Sequence, residues 1–150
     1  MSALCILDTS ILCELLQIPR KSQPTAGFTE EFKEKVEDRH EFLLPLAVIF
    51  ETGNHIGHSK GDRHRLAGKL RDLVQQSLAG KAPFTITPLP QREELHALLD
   101  GFPTWARGGS GLADFSIQQT WNDLHRQMPN RRVYIWSRDQ HLEGYDSGAT

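Results

Sequence analysis

Short apolar runs alternate with longer amphipathic stretches along this chain. Residues 3–7 (Ala-Leu-Cys-Ile-Leu) are apolar without a break and end at Asp8, the pattern of a buried strand. Thr9 and Ser10 can cap a helix predicted over Ile11–Gln17, which Pro19 stops. Residues 20–28, rich in Pro, Gly, Ser and Thr, predict a loop, and Thr29 can cap a charged helix reaching about Arg39. Glu41–Leu44 is a second short strand, and Pro45 suits the first turn of a helix over Leu46–Ile56. A further helix is expected over Asp62–Leu78, with Leu66, Leu70, Leu73 and Val74 as its apolar stripe and Gly80 as its end.

The second half repeats the alternation. Phe84–Pro88 (Phe-Thr-Ile-Thr-Pro) reads as a strand and Gln91–Leu99 as a helix. Residues 101–111, rich in Gly and Pro, predict a loop. Ser110 can cap a helix over Leu112–Gln127, and Arg132–Trp136 is a last strand running into Ser137-Arg138-Asp139. Short strands separated by helices argue for an α/β domain with a parallel sheet covered on both faces. With 150 residues and no internal repeat, linker or low-complexity tract, a single domain over 1–150 is expected.

Composition narrows the class. Apolar residues make up 38% and charged residues 24%, which suits a globular chain rather than a disordered one. No run approaches the roughly 20 apolar residues of a membrane span, so no membrane partner is expected. The N-terminus lacks the basic segment of a secretory signal. Cys5 and Cys13 both sit in apolar runs and read as core thiols, which together point to the cytoplasm. The net charge of −2 does not announce a nucleic-acid partner, but an acidic centre would mask a local basic surface.

Four acids have placements that matter. In open parallel sheets, ligands bind beyond the carboxyl ends of the strands. Asp8 ends the first strand and Asp139 lies just past the last. Asp114 falls in the first turn of a helix after a glycine loop, and Glu51 sits about a turn and a half into the helix after the second strand. All four can meet at one sheet edge. Gathered carboxylates repel one another unless a cation joins them. Oxygen-only ligation suits Mg²⁺ or Mn²⁺, which activates water and neutralises charge on a phosphodiester.

The segments Ile6-Leu7-Asp8-Thr9-Ser10, Phe50-Glu51-Thr52-Gly53-Asn54, Gly111-Leu112-Ala113-Asp114-Phe115-Ser116-Ile117 and Trp136-Ser137-Arg138-Asp139-Gln140-His141-Leu142 resemble, in order and approximate spacing, the four motifs of PIN-domain nucleases. The resemblance covers nearly the whole chain. It implies a three-layer α/β/α domain with a central, mostly parallel sheet of four to five short strands, and divalent-metal-dependent cleavage of single-stranded RNA. It maps Asp8 and Asp114 onto metal ligands, Glu51 onto the acid that orients or deprotonates the attacking water, and Asp139 onto a second-metal or outer position. Ser10 and Ser137 match groups that hydrogen-bond the cluster. The family often has Asn and Thr at those two places, and both replacements keep a hydrogen-bonding group. The VapC-type toxins of type II toxin–antitoxin pairs are the branch expected, with a cognate antitoxin protein and a homodimer as expected partners.

Other residues extend the expectation. Asn54, close to one turn after Glu51, either faces the site or caps and packs. Lys60, His64 and Arg71 are read on one helix face, either holding RNA phosphates or simply solvated. Arg107 and Arg138 lie near the acids in sequence, where either could clamp a phosphate. Trp105, in the glycine-rich segment, is a stacking candidate, whereas Trp121 and Trp136 read as core and strand. His55 and His58 form H-x-x-H, but no fourth ligand follows at zinc-site spacing. Two rival readings remain: a PIN-fold module that binds RNA or protein without catalysis, and a metal-dependent DNase in repair or defence.

Overall fold

The apolar runs form one sheet. In the computed structural model, which describes residues 2–19 and 26–148, the strands are β1 (Leu4–Leu7), β2 (Glu41–Pro45), β3 (Phe84–Thr87) and β4 (Val133–Trp136). All pairings are parallel, in the order β3-β2-β1-β4. Six helices connect or flank them: α1 (Thr9–Leu16), α2 (Phe28–Glu37), α3 (Leu46–Gly57), α4 (Arg63–Leu78), α5 (Arg92–Ala106) and α6 (Leu112–Gln127). The result is a three-layer α/β/α arrangement. Among the described residues, no helix is long and apolar enough to cross a membrane.

Register sets the two faces. Cys5 lies opposite Phe42 and Tyr134, and Phe42 opposite Phe84, so these four share one face. Helix α2 covers that face: the Phe32 ring lies 5.3 Å from Phe42, 6.1 Å from Phe84 and 6.0 Å from Trp136. Helix α6 packs against β4, where Trp121 Nε1 donates to the Val133 carbonyl at 2.8 Å. Strand order reverses at β1: the chain steps outward from β1 to β3, then returns to the other side as β4. At such a reversal of strand order, ligands of open parallel sheets bind beyond the carboxyl ends of the strands.

Several boundaries differ from the expectation. Asp8, with extended backbone, is the N-cap of α1, and Thr9 and Ser10 are already helical. Gly27, at φ 89°, precedes α2, so Thr29 lies inside the helix rather than capping it. Pro45 ends β2 at the N-cap of α3 instead of entering its first turn. Gly111, not Ser110, occupies the N-cap of α6. Residues 20–25 of the expected loop lie outside the described residues.

The largest difference is α5, which continues to Ala106 through Gly101 and Pro103, where a loop was expected. An interior proline costs a helix about 3 kcal/mol. Packing offsets that cost, because Phe102 and Trp105 both meet the buried Phe115 of α6, at 6.3 and 5.3 Å between centroids. Gly101 is needed there, since a Cβ would lie 2.9 Å from the Phe115 ring. Trp105 is therefore half-buried in a helix–helix contact and is not a free stacking platform.

Candidate active site

The crevice at the strand reversal holds the four acids. Asp8, Glu51, Asp114 and Asp139 line one cavity of about 170 Å³, together with Thr9, Ser10, Cys13 and His55. Asp8 and Asp139 arrive from the carboxyl ends of neighbouring strands β1 and β4. Glu51 comes from the second turn of α3, and Asp114 from the first turn of α6. The α5–α6 packing around Phe115 anchors that first turn and so places Asp114.

Asp8 is the most constrained of the set. Its side chain is 2% exposed. Oδ2 accepts the hydroxyls of Ser10 at 2.9 Å and Ser137 at 2.7 Å, and the Ser10 N–H at 3.4 Å. Those hydroxyls are held in turn by backbone donors: Arg138 N–H donates to Ser10 Oγ at 2.9 Å, and Asp139 N–H to Ser137 Oγ at 2.8 Å. Each hydroxyl accepts from the backbone and so directs its single proton at Asp8. Asp8 Oδ1 is buried and has no hydrogen-bond partner among the described residues. One carboxylate oxygen is saturated and the other left bare, in a residue that shares its cavity with three more acids.

The other acids are held less tightly. Ser110 Oγ donates to Asp114 Oδ2 at 2.9 Å. Burial pushes the Asp114 carboxyl up to about 7, aided by the charges of Asp8, Asp139 and Glu51 and only partly opposed by Ser110. His55 Nε2 lies 3.7 Å from Glu51 Oε1, one turn along α3. Asp139 Oδ1 accepts the His141 N–H at 2.9 Å and caps the short 3-10 turn Gln140–Leu142.

The proposed cationic contacts divide. Arg138 turns away from the phosphate role expected of it: its guanidinium meets Glu31 at 2.8 Å and the buried Glu14 at 3.7 Å, and stands over the Phe28 ring. It ties α1 and α2 to the loop after β4, because two acids already claim its charge. Arg107 is exposed at the C-cap of α5. Lys60 precedes the α4 cap Asp62 and so is not on the helix face that carries His64 and Arg71. His64 and Arg71 border a separate hollow on α4, where Arg71 pairs with Asp72 at 3.0 Å. Asn54 is exposed on α3 and borders an apolar groove next to the acidic cavity.

Two contributors were absent from the sequence-based set. Ser110 was read as a cap and His55 as half of a zinc pair. The spacing of His55 carried a signal, since it follows Glu51 by four residues, the distance at which side chains on a helix meet, whereas Ser110 lies just before the N-cap of α6 and reaches Asp114 in its first turn.

Among the described residues, no group of three or more His, Cys, Asp or Glu is so placed that it could hold a metal ion. The donor chemistry still fits a hard cation: four carboxylates, one with a bare buried oxygen and one whose ionisation the others oppose. No protein-family model matches the chain, and no curated protein or solved structure is significantly similar to it.

Proposed function

We propose that this chain is a divalent-metal-dependent endoribonuclease of the PIN type, cleaving single-stranded RNA with Mg²⁺ or Mn²⁺. The observation that carries the reading is the bare, buried Oδ1 of Asp8 in a cavity shared with Glu51, Asp114 and Asp139. A carboxylate buried half-satisfied among other carboxylates is costly until it takes up a proton or a cation completes it.

Asp8 and Asp114 would hold the ion, which when bound activates water and neutralises charge on the scissile phosphate. Ser10 and Ser137 occupy Asp8 Oδ2 and leave Oδ1 for the ion. Glu51, flanked by His55, orients the attacking water and takes its proton. Asp139 adds charge to the cavity while its own Oδ1 caps the following turn. Because no three of these groups are placed to hold an ion as they stand, loading requires side-chain adjustment.

The finer part of the proposal is the biological setting. The order of the four motifs supports a VapC-type toxin in the cytoplasm, restrained by a cognate antitoxin protein that sets a cationic side chain among the carboxylates.

The test is digestion of single-stranded RNA, single-stranded DNA and duplex side by side. Single-stranded RNA should be cut with Mg²⁺ or Mn²⁺, and a chelator should stop the reaction. Asp8→Asn should lower the rate more than about a hundred-fold, since several kcal/mol of transition-state stabilisation go with the ion. Equal cleavage by parent and Asp8→Asn would sink the assignment, and cleavage of DNA alone would favour the DNase. The absence of a ready-made ligand group favours a second reading, a non-catalytic RNA- or protein-binding module. Titration calorimetry showing no Mn²⁺ uptake would support it.

A further inference from the structure

We infer that the apolar groove beside the acidic cavity seats the nucleobase adjoining the scissile phosphate, an inference that rests on the ribonuclease reading above. The groove has a volume of about 570 Å³, within the range of small-ligand sites. Phe50 and Asn54 of α3 form one wall, Leu112 of α6 another, and Leu89, Leu95 and Leu98 the remainder.

Continuity with the acidic cavity selects the occupant. Glu51 lines both spaces. The groove residue Phe50 is its immediate neighbour on α3, and the groove residue Ala113 is the immediate neighbour of Asp114 on α6. One pair of helices thus presents carboxylates to one side and apolar surface to the other. A nucleotide has the matching division: a phosphate that needs a cation, joined to a flat ring that needs an apolar surface. Bases of single-stranded RNA are free to splay out and stack on aromatic rings.

Phe50 supplies such a ring. It is 63% exposed, although it sits on a helix whose inward positions Val48, Thr52 and Ile56 are fully packed. Asn54, one turn further on, carries an exposed amide with both donor and acceptor, which can bond a base edge. Stacking of the face of a base against Phe50 and Leu112 would bring the attached phosphate to the Glu51–Asp114 side of the shared wall.

The probe is a short single-stranded RNA with 2-aminopurine at successive positions, bound to the Asp8→Asn variant so that it stays uncut. Quenching should be strong at one position next to the cleavage site seen with the parent chain. Phe50→Ala should remove it and, in the active chain, raise KM about ten-fold or more with little change in kcat, the usual loss of one stacked base. Phe50→Trp should restore both. Phe50 is exposed, so neither variant should disturb folding. If the parent cuts RNA but Phe50→Ala leaves KM and quenching unchanged, the base seat is wrong and the nuclease reading stands. If quenching depends on Phe50 while no RNA is cut, the seat stands and the nuclease reading fails. If Phe50→Ala instead halves the apparent mass in solution with RNA binding intact, the groove is a contact between copies and the proposal falls.

Discussion

The two ends of the sheet treat charge in opposite ways. At the amino end, Arg132 meets Asp146 through two nitrogens, at 3.0 and 2.8 Å, and also lies over the Tyr134 ring. Arg131 meets Glu41 at 3.0 Å and the Ser2 carbonyl at 2.6 Å, while Tyr134 and His40 share a 2.7 Å hydrogen bond. There the Arg132 guanidinium holds the Asp146 carboxyl below its usual range. At the carboxyl end, acids face acids, and the Asp114 carboxyl is pushed up to about 7. One backbone framework therefore carries a settled end and an unsettled one. Crowded acids in a cavity are where the proposed ion would sit, whereas paired charge at a sheet end serves cohesion.

The largest test of this contrast removes the hydroxyls that discipline Asp8. In Ser10→Ala/Ser137→Ala, Oδ2 loses both hydroxyl donors and Asp8 no longer presents a directed oxygen. Mn²⁺ affinity should fall about 10- to 100-fold by titration calorimetry, the usual effect of losing partners behind a ligand. Unchanged affinity would show that the hydroxyl pair serves the fold alone.

A subtler test follows from the two shifted carboxyls. Asp114 is raised when folded, so the stability it contributes is fully present below the unfolded value near 3.8 and is lost as pH rises through about 7. Asp146 is lowered when folded, so its contribution is present above 3.8 and is lost as pH falls through its depressed value. Between about pH 5 and 8, without divalent ions, the urea midpoint should decline, and Asp114→Asn should flatten that decline. A decline of the same slope in Asp114→Asn would show that the acidic cavity does not strain the fold.

The smallest effect is expected at the settled end. Asp146→Ala should cost about 1 kcal/mol in a denaturant titration, because the pair is partly exposed and solvent screens it. RNA cleavage should be unchanged. A loss of cleavage would mean that the two ends of the sheet are coupled.

How much was legible varied with the kind of interaction involved. The strands and most helices were readable because burial imposes a period on the residues that form them. Asp8, Glu51, Asp114 and Asp139 were readable as a set because each stands where a parallel sheet exposes its loops. The extension of α5 was not readable: Gly101 and Pro103 locally oppose a helix, and only the Phe115 ring of another helix reverses the balance. The pairing of Arg138 was not readable for a similar reason, since its partners Glu14 and Glu31 lie more than a hundred residues away in the chain.

By itself, then, the sequence determined the strands, most of the helices and which acids would stand at their ends, because these follow from local periodicity and position. Only the tertiary structure decided that β4 would lie beside β1. That adjacency brings Ser137 to within 2.7 Å of Asp8 across 129 positions of chain, where it saturates one oxygen of Asp8 while the other stays without a partner. Strand neighbours are chosen by the packing of whole layers, and no local pattern carries that information.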